Sequence, residues 1–125
     1  MTRCLKQLDG TVGSPEWGAD RRRSATERTE SYLERIAERE KDVGAWTWLD
    51  ADRAMNAARG ADRRGSGGAL LGLVLGVKDI FDTHDMPTGL GFAPYRDRRP
   101  AWDAACVAAC RQAGAVVLGK TVTTE

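Results

Sequence analysis

The chain has one histidine and three cysteines, and its aromatic content is only 6%. Cys4, Cys106 and Cys110 are few, odd in number and unevenly spaced, which excludes the disulfide framework of a small secreted scaffold. Cys106 and Cys110 stand four apart on an expected helix and share a face, yet only His84 could add a third soft ligand, and a closed zinc site uses about four. Packing is therefore the expected role of the two thiols, and no metal or other cofactor is expected. Long apolar runs are also missing. The longest, "ALLGLVLGV", has nine residues, whereas a bilayer span needs about 20. The opening "MTRCLKQLDGTVGSPEWGAD" has no apolar core followed by a small-residue cleavage site, so it does not read as a secretory signal, and a cytoplasmic location is expected. Neither sign of charge dominates: 19 basic and 18 acidic residues leave a net charge of +1. Such a balance provides no broad field for gripping nucleic acid or an anionic membrane, and neither partner is expected.

What remains is a globular composition, 42% hydrophobic and 30% charged over 125 residues, enough for one domain. Residues 1–20 hold no period and several turn formers, and are expected to form a loose arm ahead of a domain at 21–125. A helix is predicted to start at Ser24, where "SATE" sets a capping side chain three residues before Glu27. Tyr32, Leu33, Ile36 and Ala37 recur on one face of it, and the pattern runs to about Glu40. Trp46 and Trp48, two apart, suit a short extended segment in which the rings fill core space. Asp50 is placed to cap a second helix through Ala54, Met55 and Ala58, and "RRGSGG" at 63–68 reads as a turn.

Past that turn the pattern becomes strand-like. "LLGLVLGV" is unbroken rather than alternating, as expected of a strand buried on both faces, with Gly72 and Gly76 marking close approach by a neighbour. Residues 82–100, with Pro87, Pro94 and Pro100, should form a long irregular loop. A helix is predicted from Asp103 to its stop at Gly114, followed by a short buried strand at "AVVL". Strand, loop, helix, strand describes an α/β crossover joining parallel strands.

Two motifs compete for chemistry. Gly114, Gly119, Lys120 and Thr121 match the phosphate-loop spelling G-x-x-x-x-G-K-T. The four intervening residues, Ala115 to Leu118, look like a strand rather than a phosphate-cradling turn, and the β-branched "VTTE" that follows starts helices poorly. Nucleotide binding is thus an alternative lacking its structural context, and "GLG" at Gly89–Gly91 is weaker, with Pro94 where a third glycine would stand. The other candidate is Lys78. Only four of the nineteen basic residues are lysines, and Lys78 falls at the carboxyl end of an expected strand, where open parallel sheets place their ligands.

The spelling around Lys78 is shared with a known family. "GVKDI" at Gly76–Ile80, "DMPTG" at Asp85–Gly89, "DAACV" at Asp103–Val107 and "AGAVVLGKTVTTE" at Ala113–Glu125, in that order and spacing, resemble the first part of the amidase signature family. "YLERIAERE" and "DADRAMNAAR" are similar to its N-terminal helical region, so the resemblance covers roughly residues 21–125. It implies an incomplete mixed α/β sheet and an amide hydrolase with a Ser-cisSer-Lys triad, in which Lys78 is the catalytic lysine and a small-molecule amide the substrate. Lysine acts as a base only when neutral, and from a free pKa of about 10.4 it must be lowered by drying; three units correspond to about 4 kcal/mol. The serines present, Ser14, Ser24, Ser31 and Ser66, all precede Lys78. Both triad serines are expected from a Gly- and Ser-rich segment after Glu125, so this chain alone should be inert. Val74 and Phe92 stand where the family commonly has proline and serine. The readings kept beside this one are the amide-hydrolysing subunit of a tRNA-dependent amidotransferase, the phosphate-loop protein, and a noncatalytic helical interaction module.

Overall fold

A computed structural model describes residues 23–65 and 68–123. The expected arm at 1–20 and the middle of the turn at 63–68 lie outside the described residues. Helix α1 spans Ala25–Val43, and its start is the reciprocal capping box: the Ser24 hydroxyl accepts from Glu27 N at 3.0 Å, while Ser24 N donates to Glu27 Oε2 at 2.8 Å. It stops at Gly44, whose φ of 61° lets the chain turn left-handed at no steric cost. Strand β1, Trp46–Leu49, follows at once, tied back to α1 by a bond from Trp46 N to Glu40 Oε1 at 2.8 Å. Asp50 caps helix α2, Ala51–Arg64, through Arg53 N at 2.9 Å.

Alanines let α1, α2 and the sheet close on one another. Ala54, Ala58 and Ala61 repeat along one face of α2 and are fully buried, and Ala58 and Ala61 share a core with Ala25 of α1 and Val116. Asp62 of α2 also finishes the N-terminus of α1, accepting from Ala25 N at 2.7 Å and from Thr26 N and its hydroxyl at 3.0 and 2.6 Å. The helices therefore do not form a module apart from the strands.

Strand β2 covers Val74–Lys78, helix α3 Ala105–Gln112 and strand β3 Val116–Thr121, with a short 3-10 turn at Ala93–Tyr95 in the loop between β2 and α3. The sheet order is β1-β3-β2: β2 runs parallel to β3 as the crossover predicted, and the Trp46–Trp48 segment adds an antiparallel third strand. Two expectations need correcting. The strand buried on both faces is β3, not β2, because β2 lies at an edge of the described sheet and leaves Gly76 and Lys78 exposed. Residues 70–73 are a turn, fastened to α3's end by Leu70 N to Ala113 O at 3.0 Å and Gly72 N to Gly114 O at 3.0 Å.

Strand β3 carries an irregularity that decides where its side chains go. Leu75 pairs with Val117 but Gly76 pairs with Gly119, so Leu118 is an extra residue in the ladder. The Arg53 guanidinium satisfies the carbonyls at that bulge, donating to Val117 O at 2.6 Å and Leu118 O at 3.0 Å. Arg53 also lies over the Trp48 ring, 5.6 Å from its centroid. Beyond the bulge, Lys120 pairs with Val77 and Lys78 with Thr121.

Candidate active site

Parallel β2 and β3 end side by side at Lys78 and Thr121, and what they position there is a pair of lysines on opposite faces of the sheet. Lys78 is exposed. Its carbonyl accepts from Phe81 N at 3.0 Å as the chain turns away. The drying expected of this ammonium is not supplied by the described residues.

The next residue, Asp79, is buried and held on every side. Its N–H donates to Thr121 O at 2.9 Å, its carbonyl accepts from Leu90 N at 3.0 Å, and its carboxylate accepts from Gly89 N at 3.1 to 3.2 Å. Its ionic partner is Lys120, with Nζ 3.2 Å from Oδ1. Lys120 is 0% exposed and donates further to Thr88 Oγ1 at 2.6 Å and Pro87 O at 3.1 Å, so three acceptors meet the three N–H bonds of the ammonium. Burial pulls the Lys120 amine below its ordinary range, and the Asp79 carboxylate pulls it back only in part.

In the sequence Lys120 stands out only as the lysine of the phosphate-loop spelling, whereas in the fold it is buried and paired with Asp79. The structure removes that alternative. Val116 to Leu118 lie in the strand itself, and the lysine is sealed under the loop with its donors occupied. Lys120, like Lys78, is one of only four lysines in an arginine-rich chain.

The long loop after β2 builds the roof over this cluster. Met86, Thr83 and Thr88 are fully buried, Met86 packing with Val77, Val107 and Val117. Gly89 packs closely there: a Cβ would lie 3.0 Å from the Asp79 carboxylate, which would have to shift to admit it. A cavity of about 490 Å³ opens beside the roof, lined by Trp48, Asp79, Pro87, Phe92 and Arg96 among others. A second, of about 400 Å³, lies between α1 and the sheet, where Tyr32, Ile36, Trp46 and Val74 form an apolar wall. Thus the apolar stripe of α1 is only partly covered, and Tyr32 remains 42% exposed.

Of the two thiols expected to pack, one does not. Cys106 is exposed and Cys110 half-buried, while His84 turns to Asp103, Nδ1 to Oδ1 at 2.9 Å. His84, Asp85 and Asp103 bring possible ligand atoms within 4.8 Å of one another. Both carboxylates are already engaged by arginine: Arg53 and Arg111 reach Asp85 at 2.9 and 2.6 Å, and Arg111 reaches Asp103 at 3.1 Å. Those cations compensate the charge that would attract a metal, and the group is an ion-pair network. Asp103 thereby serves this network rather than capping α3, whose N-cap is Ala104.

The profile of the amidase family matches residues 27–125. The chain belongs to the amidase family. It is 41% identical over 109 residues to AmiD of Mycobacterium tuberculosis, described as an amidase, a match covering 84% of this chain and 23% of AmiD. It is similar at 43% identity over 107 residues to a glutamyl-tRNA(Gln) amidotransferase subunit from Acidothermus cellulolyticus, covering 82% of this chain and 21% of that one. The solved structure of the peptide amidase from Stenotrophomonas maltophilia matches with a TM-score of 0.74 at 35% identity, over 84% of this chain and 23% of that enzyme. The chain therefore spans less than a quarter of the length of these amidase-family relatives. The mixed α/β architecture is that of amidase signature enzymes. No helix among the described residues is long and apolar enough to cross a membrane.

Proposed function

We propose that residues 21–125 are the N-terminal part of an amidase domain whose complete form hydrolyses a carbon–nitrogen bond of a small amide, with Lys78 as the general base of a Ser-cisSer-Lys triad. One observation carries this: the family match over residues 27–125 includes Lys78, which stands at the carboxyl ends of two adjacent parallel strands. In the proposed reaction a neutral Lys78 amine takes the proton of a bridging serine hydroxyl, which takes that of the nucleophilic serine. The serine oxygen bonds to the amide carbon, the C–N bond breaks as nitrogen receives the returning proton, and water then releases the acid. Both serines, and the chain that dries Lys78, would come from the part of the domain that this chain does not span.

The test is a chimera that continues residues 1–125 into the C-terminal part of AmiD, assayed for ammonia release from primary amides. Lys78→Ala is expected to lower turnover by about 10² to 10⁴-fold, the usual worth of a positioned acid–base group. Full turnover in that variant would refute the role of Lys78. The 43% identity to a glutamyl-tRNA(Gln) amidotransferase subunit favours a second reading, in which amide hydrolysis feeds a partner-dependent amidation. Turnover of free amides without added partner proteins would set that reading aside.

A further inference from the structure

We infer that Lys120 is a positioning residue for Lys78, clamping from the opposite face of the sheet the turn on which Lys78 is carried. The inference rests on the reading of Lys78 as the base. In a regular strand Lys120 would share a face with Val116, toward α1 and α2. The extra residue at Leu118 reverses this and brings Lys120 beside Val77, on the face where Met86 and Val117 pack. There its ammonium meets Asp79, Thr88 and Pro87. Asp79 follows Lys78 directly, so whatever fixes Asp79 fixes the direction in which Lys78 leaves β2.

A second observation points the same way. Leu90, whose N–H donates to Asp79 O, has a φ of 58°, a left-handed conformation that costs any residue bearing a Cβ energy. Such strain persists only where the surroundings over-determine the backbone. Here the determining contacts are those of Asp79: its carbonyl on Leu90 N, its carboxylate on Gly89 N, and Lys120 behind the carboxylate. Stability alone needs none of this arrangement, since a buried ion pair is often matched by apolar side chains of similar volume.

The test uses the 125-residue chain and needs no activity, so its failure is separable from failure of the base assignment. Amide hydrogen exchange and the resonances of Lys78 are followed by NMR in wild type, Lys120→Met and Thr88→Val. In Lys120→Met, exchange at Asp79, Gly89 and Leu90 should rise by about tenfold or more and the Lys78 signals should shift, while Val116 and Val117 keep their protection. Thr88→Val, which removes one bond to the ammonium and keeps the ion pair, should show the same pattern at smaller amplitude. It also decides the matter if Lys120→Met does not fold. Unchanged Lys78 signals, or a uniform rise in exchange that includes Val116 and Val117, would overturn the inference and leave Lys120 a stabilising residue only.

Discussion

Two lysines separated by the thickness of one sheet meet opposite environments, and the cause is local. Lys78 leaves an edge strand into solvent, while Lys120 sits in the central strand under a loop whose Thr88 and Pro87 accept its protons. Because the Lys120 amine titrates lower in the folded chain than its ordinary 10.5, the unfolded chain binds more protons between those values. Stability should therefore rise as pH climbs through that window, an increase that Lys120→Met abolishes in urea titrations at alkaline pH. Asp85 works at the acid end. Burial pushes its carboxyl up, but Arg111 and Arg53 outweigh this and hold it below 3.8. Its contribution is complete above about pH 3.8 and is lost as pH falls through the folded value. Asp85→Asn should cost about 1 to 3 kcal/mol at neutral pH and flatten the acid limb of the unfolding curve. The proposal for Lys78 rests on its family spelling. The face of β3 that Lys120 occupies was not legible, because a one-residue bulge leaves no mark in composition or period.

At the scale of elements, local chemistry was the most readable layer. "SATE" gave the start of α1 and Asp50 that of α2, because both caps act within three residues of themselves. Less legible were contacts made across the fold. Nothing near Ala25 announces that Asp62, 37 residues away, completes the α1 N-terminus. Asp62→Ala should cost about 0.5 to 2 kcal/mol, the worth of a cap, and should fray α1 before the sheet in hydrogen exchange. The strand expected over 70–77 failed in its first half, where Gly72 turns the chain at φ 69° and Gly114 packs against it: a Cβ on Gly114, at φ 97°, would lie 2.8 Å from Leu71 Cα. Gly114→Ala should thus destabilise by more than about 1 kcal/mol in urea unfolding, combining left-handed strain with a backbone clash. An unbroken apolar run says that a segment is covered, not where its ladder begins.

For the molecule as a whole, the described residues form a three-stranded sheet with helices α1 and α2 against one face and α3 with the long loop against the other. The family match, the parallel crossover and the mixed sheet agree with the α/β class read from the sequence. The third strand was legible only as an extended pair of tryptophans; it pairs with β3, as Trp46 with Thr121 and Leu49 with Gly119, across most of the chain. Among the described residues β2 has a neighbour on one side alone. Backbone donors and acceptors along such a rim are templates for any extended peptide. Concentration consequently becomes a structural variable for this chain: sedimentation should report growth in mean size between about 1 μM and about 1 mM, and a short strand-forming peptide added in excess should suppress it.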